Sequence, residues 1–534
     1  MTNDDAVVGA PQTGASALAR AGAIVVVGFV IARALGYVRV VATGAAFGAS
    51  SELDAFWVAF RLPDLVLNLV ATGALAASLV PALSGLLAIG STERAWRTAS
   101  SLLAAAGVAF ALFGVFLFVA APWLVPLLAP GFDDASTALA VQLTREMSPA
   151  PLILGVAALM AGALNAMGRF TASILGPIAY NVMTIIGALW LSGPFGVHGL
   201  AIGVVLGSIA YLLIQVVALL RTEFRFRRVV DLGDAGVRRA MGLLFPRAIG
   251  LSTAQLQLVV AVALASSLPS GSVTAFTIAY TLFLIPAGTL GVPIGTVALP
   301  LLAARHAAGE LAEVGRLLTA GLRFVVFAML PVVTVSIALA PELVTLLFGY
   351  GRYDASDVAT TAAAAEVLFL GLPAEAMTAL SARALYAADK TAPTLLAAGV
   401  DLAATAILAL ILVGPYGLAG LALAFAISAW IETVILLVAL RWRVPGLRLA
   451  ALARSGIGWL AVAVAVGVGV AIIADRLVAM DAPPHGRLAL LVAVVVCGGL
   501  AVAIYLGLAV AIRAPEVAVL RAFLQRRRRR GATA

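Results

Sequence analysis

Long apolar stretches recur along this chain with short polar interruptions between them, and an α-helix needs about 20 mostly apolar residues to cross a bilayer. Fourteen stretches qualify, at about 20–42, 54–88, 98–128, 138–167, 171–192, 195–220, 238–267, 272–303, 316–348, 356–387, 392–413, 415–440, 453–474 and 487–512. Several exceed one bilayer thickness and must tilt, kink or project into water. The pattern predicts an all-α polytopic membrane protein of about fourteen transmembrane helices. The first 19 residues are polar, with Asp4 and Asp5, and no short apolar region with a small-residue cleavage site follows. The first stretch therefore reads as a true span rather than a signal peptide.

Composition removes the alternatives. Of 534 residues, 63% are hydrophobic and 11% charged, with a mean hydropathy of +1.11, against about 45–50% and about 25% in soluble domains. A soluble globular protein is excluded. The one cysteine, Cys497, lies in an apolar run, and His198, His306 and His485 are scattered, so neither a disulfide framework nor a metal site is expected. The sequence shows no Walker loop, no paired carboxylates near a histidine and no Gly-x-Ser-x-Gly. Neither an enzyme nor a cofactor is expected.

The net charge of +9 would suggest nucleic acid in a soluble chain, so the placement of the arginines decides. With the N-terminus in the cytoplasm, 24 of the 34 basic residues fall in inner loops and three, Arg352, Arg476 and Arg487, fall outside. That bias predicts both termini on the cytoplasmic side. The run Arg526 to Arg530 then reads as an orientation signal against anionic lipid, not a nucleic-acid site.

One spacing repeats. Pro194 to Ala201 resembles Pro415 to Ala422 at an offset of 221, which also relates Ala163-Leu164 and Arg169 to Ala384-Leu385 and Lys390, and Phe132-Asp133 to Tyr353-Asp354. The chain is predicted to be two homologous six-helix lobes in the same orientation plus a C-terminal helix pair, an organisation suited to alternating access. The expected boundaries are a cytoplasmic tail at 1–19, an N-lobe at 20–220, a cytoplasmic linker at 221–237, a C-lobe at 238–441, the helix pair at 453–512 and a basic tail at 513–534.

An ionisable group at the bilayer centre costs at least about 2.5–3.5 kcal/mol and normally faces a cavity or a partner. Arg33 and Arg39 lie in span one, about 9 Å apart along a helix axis. Asp54, Arg61 and Asn68 are spaced by seven in span two and share a face, and Pro63 should kink that helix. A cavity lined by these arginines suits a phosphate-bearing anion, and Arg33 and Arg61 are expected to face it. Equally, Arg33 could pair with Asp54 and lock two helices while Arg39 snorkels to headgroups. In the second half, Glu366, Glu375, Asp401 and Glu432 either carry H+ or Na+ or are solvated near span ends. Pro286, Pro293 and Pro300, with Gly288, Gly291 and Gly295 among them, mark a gate or a tightly packed broken helix.

These residues resemble the MurJ (MviN) family of lipid II flippases, within the multidrug/oligosaccharidyl-lipid/polysaccharide exporter superfamily. The resemblance rests on Ala32-Arg33-Ala34-Leu35-Gly36-Tyr37-Val38-Arg39, Asp54-Ala55-Phe56-Trp57-Val58-Ala59-Phe60-Arg61-Leu62-Pro63, Gly162-Ala163-Leu164-Asn165-Ala166, Gly371-Leu372-Pro373 and Ala382-Arg383-Ala384-Leu385-Tyr386-Ala387, in order across about 30–440. It implies a central cationic cavity for a pyrophosphate headgroup and a groove for the polyprenyl tail between the last two helices. It also implies functional roles for Arg33, Arg39 and Asp54, and with them Arg61 and Asn68, on the same face as Asp54, stand as substrate-binding candidates. Pro63, Pro286, Gly288 and Gly291 stand as hinge or gate positions. This chain departs from the family pattern at Val40, Leu67, Asn68, Thr72, Thr281 and Leu284, where charged residues are typical.

The resemblance implies a flippase moving an undecaprenyl-pyrophosphate-linked precursor, lipid II, to the outer leaflet of the bacterial cytoplasmic membrane. Its expected partners are the lipid-linked glycan, membrane lipids, a coupling ion (H+ or Na+) or the membrane potential, and the cell-wall synthesis machinery. Alternatives are an exporter of another lipid-linked glycan or a small cation, and a non-transporting scaffold of cell-wall synthesis. The glycines of the last two spans, Gly467, Gly469, Gly498, Gly499 and Gly507, are expected to leave a shallow apolar trough.

Overall fold

The computed structural model describes residues 13–71, 74–227, 231, 233–234, 237–238, 253–388, 390–480 and 487–517. The first twelve residues, parts of the predicted linker, the start of the seventh stretch and Arg526 to Arg530 lie outside the described residues. Every regular element described is helical. Hydrocarbon leaves backbone N–H and C=O groups no partner except within a helix or a closed barrel.

The first half comprises α1 (Thr13–Phe47), α2 (Ser51–Ala71), α3 (Ala74–Ala88), α4 (Thr92–Leu128), α5 (Asp134–Met147), α6 (Ala150–Ala166), α7 (Thr171–Ile186) and α8 (His198–Leu220). In the second half, α9 (Thr253–Ala265) precedes α10 (Ser272–Pro286), α11 (Val292–Ala307), α12 (Leu311–Ala338), α13 (Ala340–Phe348), α14 (Ala355–Phe369), α15 (Leu372–Ala387) and α16 (Ala392–Arg443). Last come α17 (Leu449–Met480) and α18 (Arg487–Ala511).

Ten described helices are long and apolar enough to cross a membrane, eleven when α14 and α15, bent by 43°, count as one. The sequence count of fourteen is higher because two predicted stretches are joined in one helix and because residues 72–73 of the second stretch and the start of the seventh lie outside the described residues. In the eighth stretch a π turn at Ala287–Gly291 lies between α10 and α11. The stretches 392–413 and 415–440 are joined in α16, which at 52 residues would be roughly 78 Å long if straight. It is instead broken at Gly417, with φ 55 and ψ −133.

The offset of 221 reappears as backbone geometry. Gly196 has φ 56 and ψ −141, nearly the values of Gly417, in a region that a Cβ disfavours. A Cβ on Gly199 would lie 2.6 Å from the Leu191 carbonyl oxygen, and one on Gly420 would lie 2.1 Å from that of Leu412. The Arg169 N–H donates to the Leu164 carbonyl at 2.9 Å, as the Lys390 N–H does to Leu385 at 2.9 Å. Matched sequence thus encodes matched breaks and helix ends.

Two compact units form. Unit one contains 1–46, 59–125 and 138–251, and unit two contains 47–58, 126–137 and 252–534. The units do not follow the repeat: two short segments of the first half fold with the second, and so do α17 and α18. The core of unit two gathers Leu302 of α11, Leu318, Leu322 and Val325 of α12, Leu380 and Leu385 of α15 and Leu436 and Leu440 of α16. In unit one α4 instead turns Leu112, Val115, Phe116 and Trp123 outward, as suits a helix whose solvent is lipid.

Candidate functional site

Unit one holds the predicted arginines. The Arg39 guanidinium lies over two rings, Phe60 of α2 at 5.4 Å and Tyr180 of α7 at 5.8 Å. Asn181 ties α7 to α1, its Nδ2 donating to the Ala32 carbonyl at 3.2 Å. Aromatic faces attract a cation but cannot accept the in-plane hydrogen bonds of a guanidinium fork. Accordingly Nε and Nη1 of Arg39 meet no acceptor among the described residues, although the guanidinium lies beside the Tyr180 hydroxyl and within electrostatic range of Asp64.

Arg61 is 8% exposed, with Nη1 3.7 Å from Oδ2 of Asp64 one turn on. It does not face open solvent, in contrast to the expectation from sequence: desolvation is offset by a partner on its own helix. Asn68 Nδ2 donates to the Asp64 carbonyl at 3.0 Å and to Oδ2 at 3.1 Å. Asp64 therefore organises this face, although the sequence reading passed it over. The signal was present as acid and base at i, i+3 and acid and amide at i, i+4. Arg33 is exposed, with Nε donating to the Tyr37 hydroxyl at 3.2 Å. Three arginines against one acid leave this part of unit one with excess positive charge. Pro63 lies buried within α2.

Asp54 sits elsewhere, in unit two. It is 3% exposed, and its carboxylate caps the start of α10. Oδ2 accepts from the Gly271 N–H at 2.7 Å, and Oδ1 accepts from both the N–H and the hydroxyl of Thr274, each at 2.7 Å. Both oxygens are thus occupied by the positive end of a helix dipole. The same segment is held by the Ala49 N–H, which donates to Asp357 Oδ2 at 2.9 Å. The second short segment is held by the Gly131 N–H, which donates to Ser266 Oγ at 3.1 Å. Gly271 has φ 91, and a Cβ there would lie 2.3 Å from the Ala49 carbonyl oxygen. Nearby, beyond the spans, hydrogen bonds from the Asp357 N–H and Ser356 hold the Asp354 carboxyl below the usual carboxylate range. Its repeat mate Asp133 is lowered by the bonds from Ser136.

A buried polar network crosses α9 and α16. Gln257 Nε2 donates to Asp401 Oδ2 at 2.5 Å and to Thr405 Oγ1 at 3.0 Å, and the Thr405 hydroxyl donates to Ser428 at 2.7 Å. Asp401 is 8% exposed and its Oδ1 has no partner among the described residues. Glu375 and Glu432 lie within electrostatic range of it, whereas Glu366 stands beside Glu342 instead. Pro286 ends α10, and Gly288 and Gly291 lie in the π turn that follows. Thr281, at a family charge position, bonds back to the Thr277 carbonyl at 2.7 Å. Among the described residues no group of three or more His, Cys, Asp or Glu is arranged to hold a metal ion.

The C-terminal pair is fastened to α12. Phe327, Trp459 and Tyr505 form an aromatic cluster with centroids 4.9–5.2 Å apart, and the Tyr505 hydroxyl donates to the Phe327 carbonyl at 3.1 Å. Beyond the end of α18, Glu516 Oε1 accepts from Arg323 Nε at 3.0 Å, from Arg323 Nη2 at 2.6 Å and from the Ser455 hydroxyl at 2.8 Å. Burial pushes the Glu516 carboxyl up, but these bonds, its own backbone N–H and the Arg323 charge hold it below the usual range. The glycines divide. Gly467 and Gly498 pack toward Thr334 and Val335, whereas a Cβ on Gly469, Gly499 or Gly507 would meet nothing within 4 Å.

The family model described as "Lipid II flippase MurJ" matches residues 43–505. The lipid II flippase MurJ of Burkholderia cenocepacia is 30% identical over 484 residues, covering 87% of this chain and 92% of that one. A probable lipid II flippase MurJ of Rhizobium meliloti is 28% identical, covering 77% and 78%. Among solved structures, a lipid II flippase MurJ in an inward closed conformation superposes with a TM-score of 0.75 at 20% identity, covering 92% of this chain and 98% of that one. An inward-facing multidrug resistance MATE family transporter of the MOP superfamily gives 0.65 at 16% identity, covering 80% and 99%.

Proposed function

The chain belongs to the lipid II flippase MurJ family, and we propose that it carries lipid II from the cytoplasmic to the outer leaflet by alternating access, with both termini in the cytoplasm. It is a multi-pass protein of the bacterial inner membrane whose cargo is a lipid-linked glycan. The arginine bias supports the orientation, and the matched breaks at Gly196 and Gly417 support two repeated lobes.

The observation that carries the cargo assignment is the unsatisfied guanidinium of Arg39. Two of its donor nitrogens meet no acceptor among the described residues, and a ligand bearing phosphate oxygens would supply acceptors in bidentate form. Arg33 adds an exposed charge on the same helix. Arg61 and Asn68, committed to Asp64, set the position of that acid and so the local field; their contribution to cargo binding is indirect.

Asp54 takes a different role, as a latch. In this state it holds the turn after α1 to the start of α10, at the end of the chain where arginines are scarce and which the orientation places outside. Three hydrogen bonds to one carboxylate fix that turn within unit two. The π turn after Pro286, with Gly288 and Gly291, supplies the hinge, and Pro63 supplies another in α2. Asp401, with a buried unpartnered oxygen, is the carboxylate best placed to take a coupling H+ or Na+. Contact with the cell-wall synthesis machinery is part of the same proposal.

Complementation of a lipid II flippase depletion strain, with translocation measured directly, tests the reading. Restored growth with lipid II appearing in the outer leaflet is expected. Normal membrane insertion without translocation would overturn it.

A further inference from the structure

A groove of about 770 Å³ lies in unit one between the start of α7 and the end of α8. Leu175, Leu213 and Val217 line it and are 46%, 55% and 47% exposed. Behind it a small core of Leu164, Ala172 and Leu219 fixes the floor, and Gln215 Nε2 donates to the Ala172 carbonyl at 2.8 Å. Both helices belong to spans, so these walls meet hydrocarbon, where a polar peptide could not satisfy its backbone.

The polar end of the groove carries Arg169 and Arg221. Arg169 Nη1 donates to the Arg221 carbonyl at 3.1 Å, which draws one guanidinium across the end of α8. Two nearby arginines of this unit have acids: Arg94 lies 3.8 Å from Asp234, and Arg227 pairs with Glu93. Among the described residues Arg169 and Arg221 have no such partner. No side chain caps the start of α7, so its free N–H groups add partial positive charge at the same place. Two cations and a helix start stand at one end of an apolar trough.

We propose that this groove binds an anionic glycerophospholipid, with the phosphate on Arg169 and Arg221 and an acyl chain along Leu175, Leu213 and Val217. The headgroup charge supplies what the arginines lack, and the chain covers leucine and valine surface that helix packing leaves open. The site is separate from Arg39, and only its assignment to the cytoplasmic leaflet rests on the orientation proposed above.

The test titrates phosphatidylglycerol and phosphatidylcholine against the full-length protein in detergent, with bound lipid counted by native mass spectrometry. Phosphatidylglycerol should bind about thirtyfold more tightly, from about fivefold per arginine at the headgroup level. Arg169→Gln with Arg221→Gln should remove that preference. Val217→Trp, which keeps both charges and fills the trough, should weaken both lipids. Arg305→Gln with Arg316→Gln, which removes cations already paired with Glu310 and Glu313, should change nothing. An unchanged preference in the first variant, unchanged affinity in the tryptophan variant, equal loss in the paired-arginine variant or full displacement by inorganic phosphate would each overturn the proposal. No step measures lipid II, so this outcome is independent of the transport reading.

Discussion

Two half-buried arginines of this protein are treated in opposite ways. Arg323 in unit two meets Glu516 through two donors, with Ser455 completing the acceptor, whereas Arg39 in unit one lies against Phe60 and Tyr180 with two donors unused. A satisfied pair fastens helices, while an unsatisfied fork costs stability and is retained where a ligand completes it. The C-terminal seam therefore reads as the part that holds the fold, and the α1–α2–α7 cluster as the part that handles cargo.

The largest effect expected on the structural side is at Trp459, 6% exposed within the aromatic cluster. Trp459→Ala should lower unfolding stability by about 3 kcal/mol, the low end for a buried aromatic because lipid is itself apolar. Transport per folded molecule should stay within about twofold, since the cavity cost falls on the seam. A selective loss of transport with unchanged stability would reverse the comparison. On the cargo side, Arg39→Ala should cut translocation about a hundredfold, the equivalent of two charge-assisted hydrogen bonds at about 1.5 kcal/mol each. Its stability should change by less than that of Trp459→Ala, because the lost contacts with Phe60 and Tyr180 are partly offset by removal of two buried donors without acceptors. Arg39→Lys should recover only part of the activity, as a point charge lacks the fork.

Smaller effects sharpen the contrast. The folded-state pKa of Glu516 is depressed, so its contribution is fully present above the ordinary carboxylate value, about 4.3, and is lost as pH falls below that value and through the lower folded-state pKa. Cysteine cross-linking or hydrogen exchange across α12 and α17 should report loosening on acidification. Glu516→Gln should start looser by about 1–2 kcal/mol and show a weaker pH response. The smallest pair is Gly196→Ala and Gly417→Ala, each expected to cost about 1 kcal/mol of thermal stability because both need the same positive φ. Unequal costs well beyond that would argue against equivalent breaks in the two halves.

Much of this was legible in the sequence, for reasons that differ by residue. Bilayer thickness imposes long apolar runs, so helical class and membrane location could be read directly. The repeat was legible because Gly196 and Gly417 perform the same backbone task and cannot drift freely. Helix count was less so: the apolar run 356–387 reads as one span, yet the chain bends by 43° between α14 and α15. Asp54 shows the limit for sites. Spacing by seven placed it on a face with Arg61 and Asn68, yet its partners are backbone N–H groups 217 and 220 residues away, which no helical period can reveal. The trough glycines were half legible. Absence of a side chain permits both close packing, as at Gly467, and open surface, as at Gly499, and only the neighbouring helix decides.

The division of labour between seam and arginine cluster is tested most directly by equilibrium binding of a short-chain, water-soluble pyrophosphate analogue of the lipid II headgroup to three purified proteins. Wild type and Trp459→Ala should bind with equal affinity below the melting range of the variant, and Arg39→Ala should bind about a hundredfold more weakly. Equal binding by Arg39→Ala and wild type would contradict the assignment of the cargo phosphate to that guanidinium.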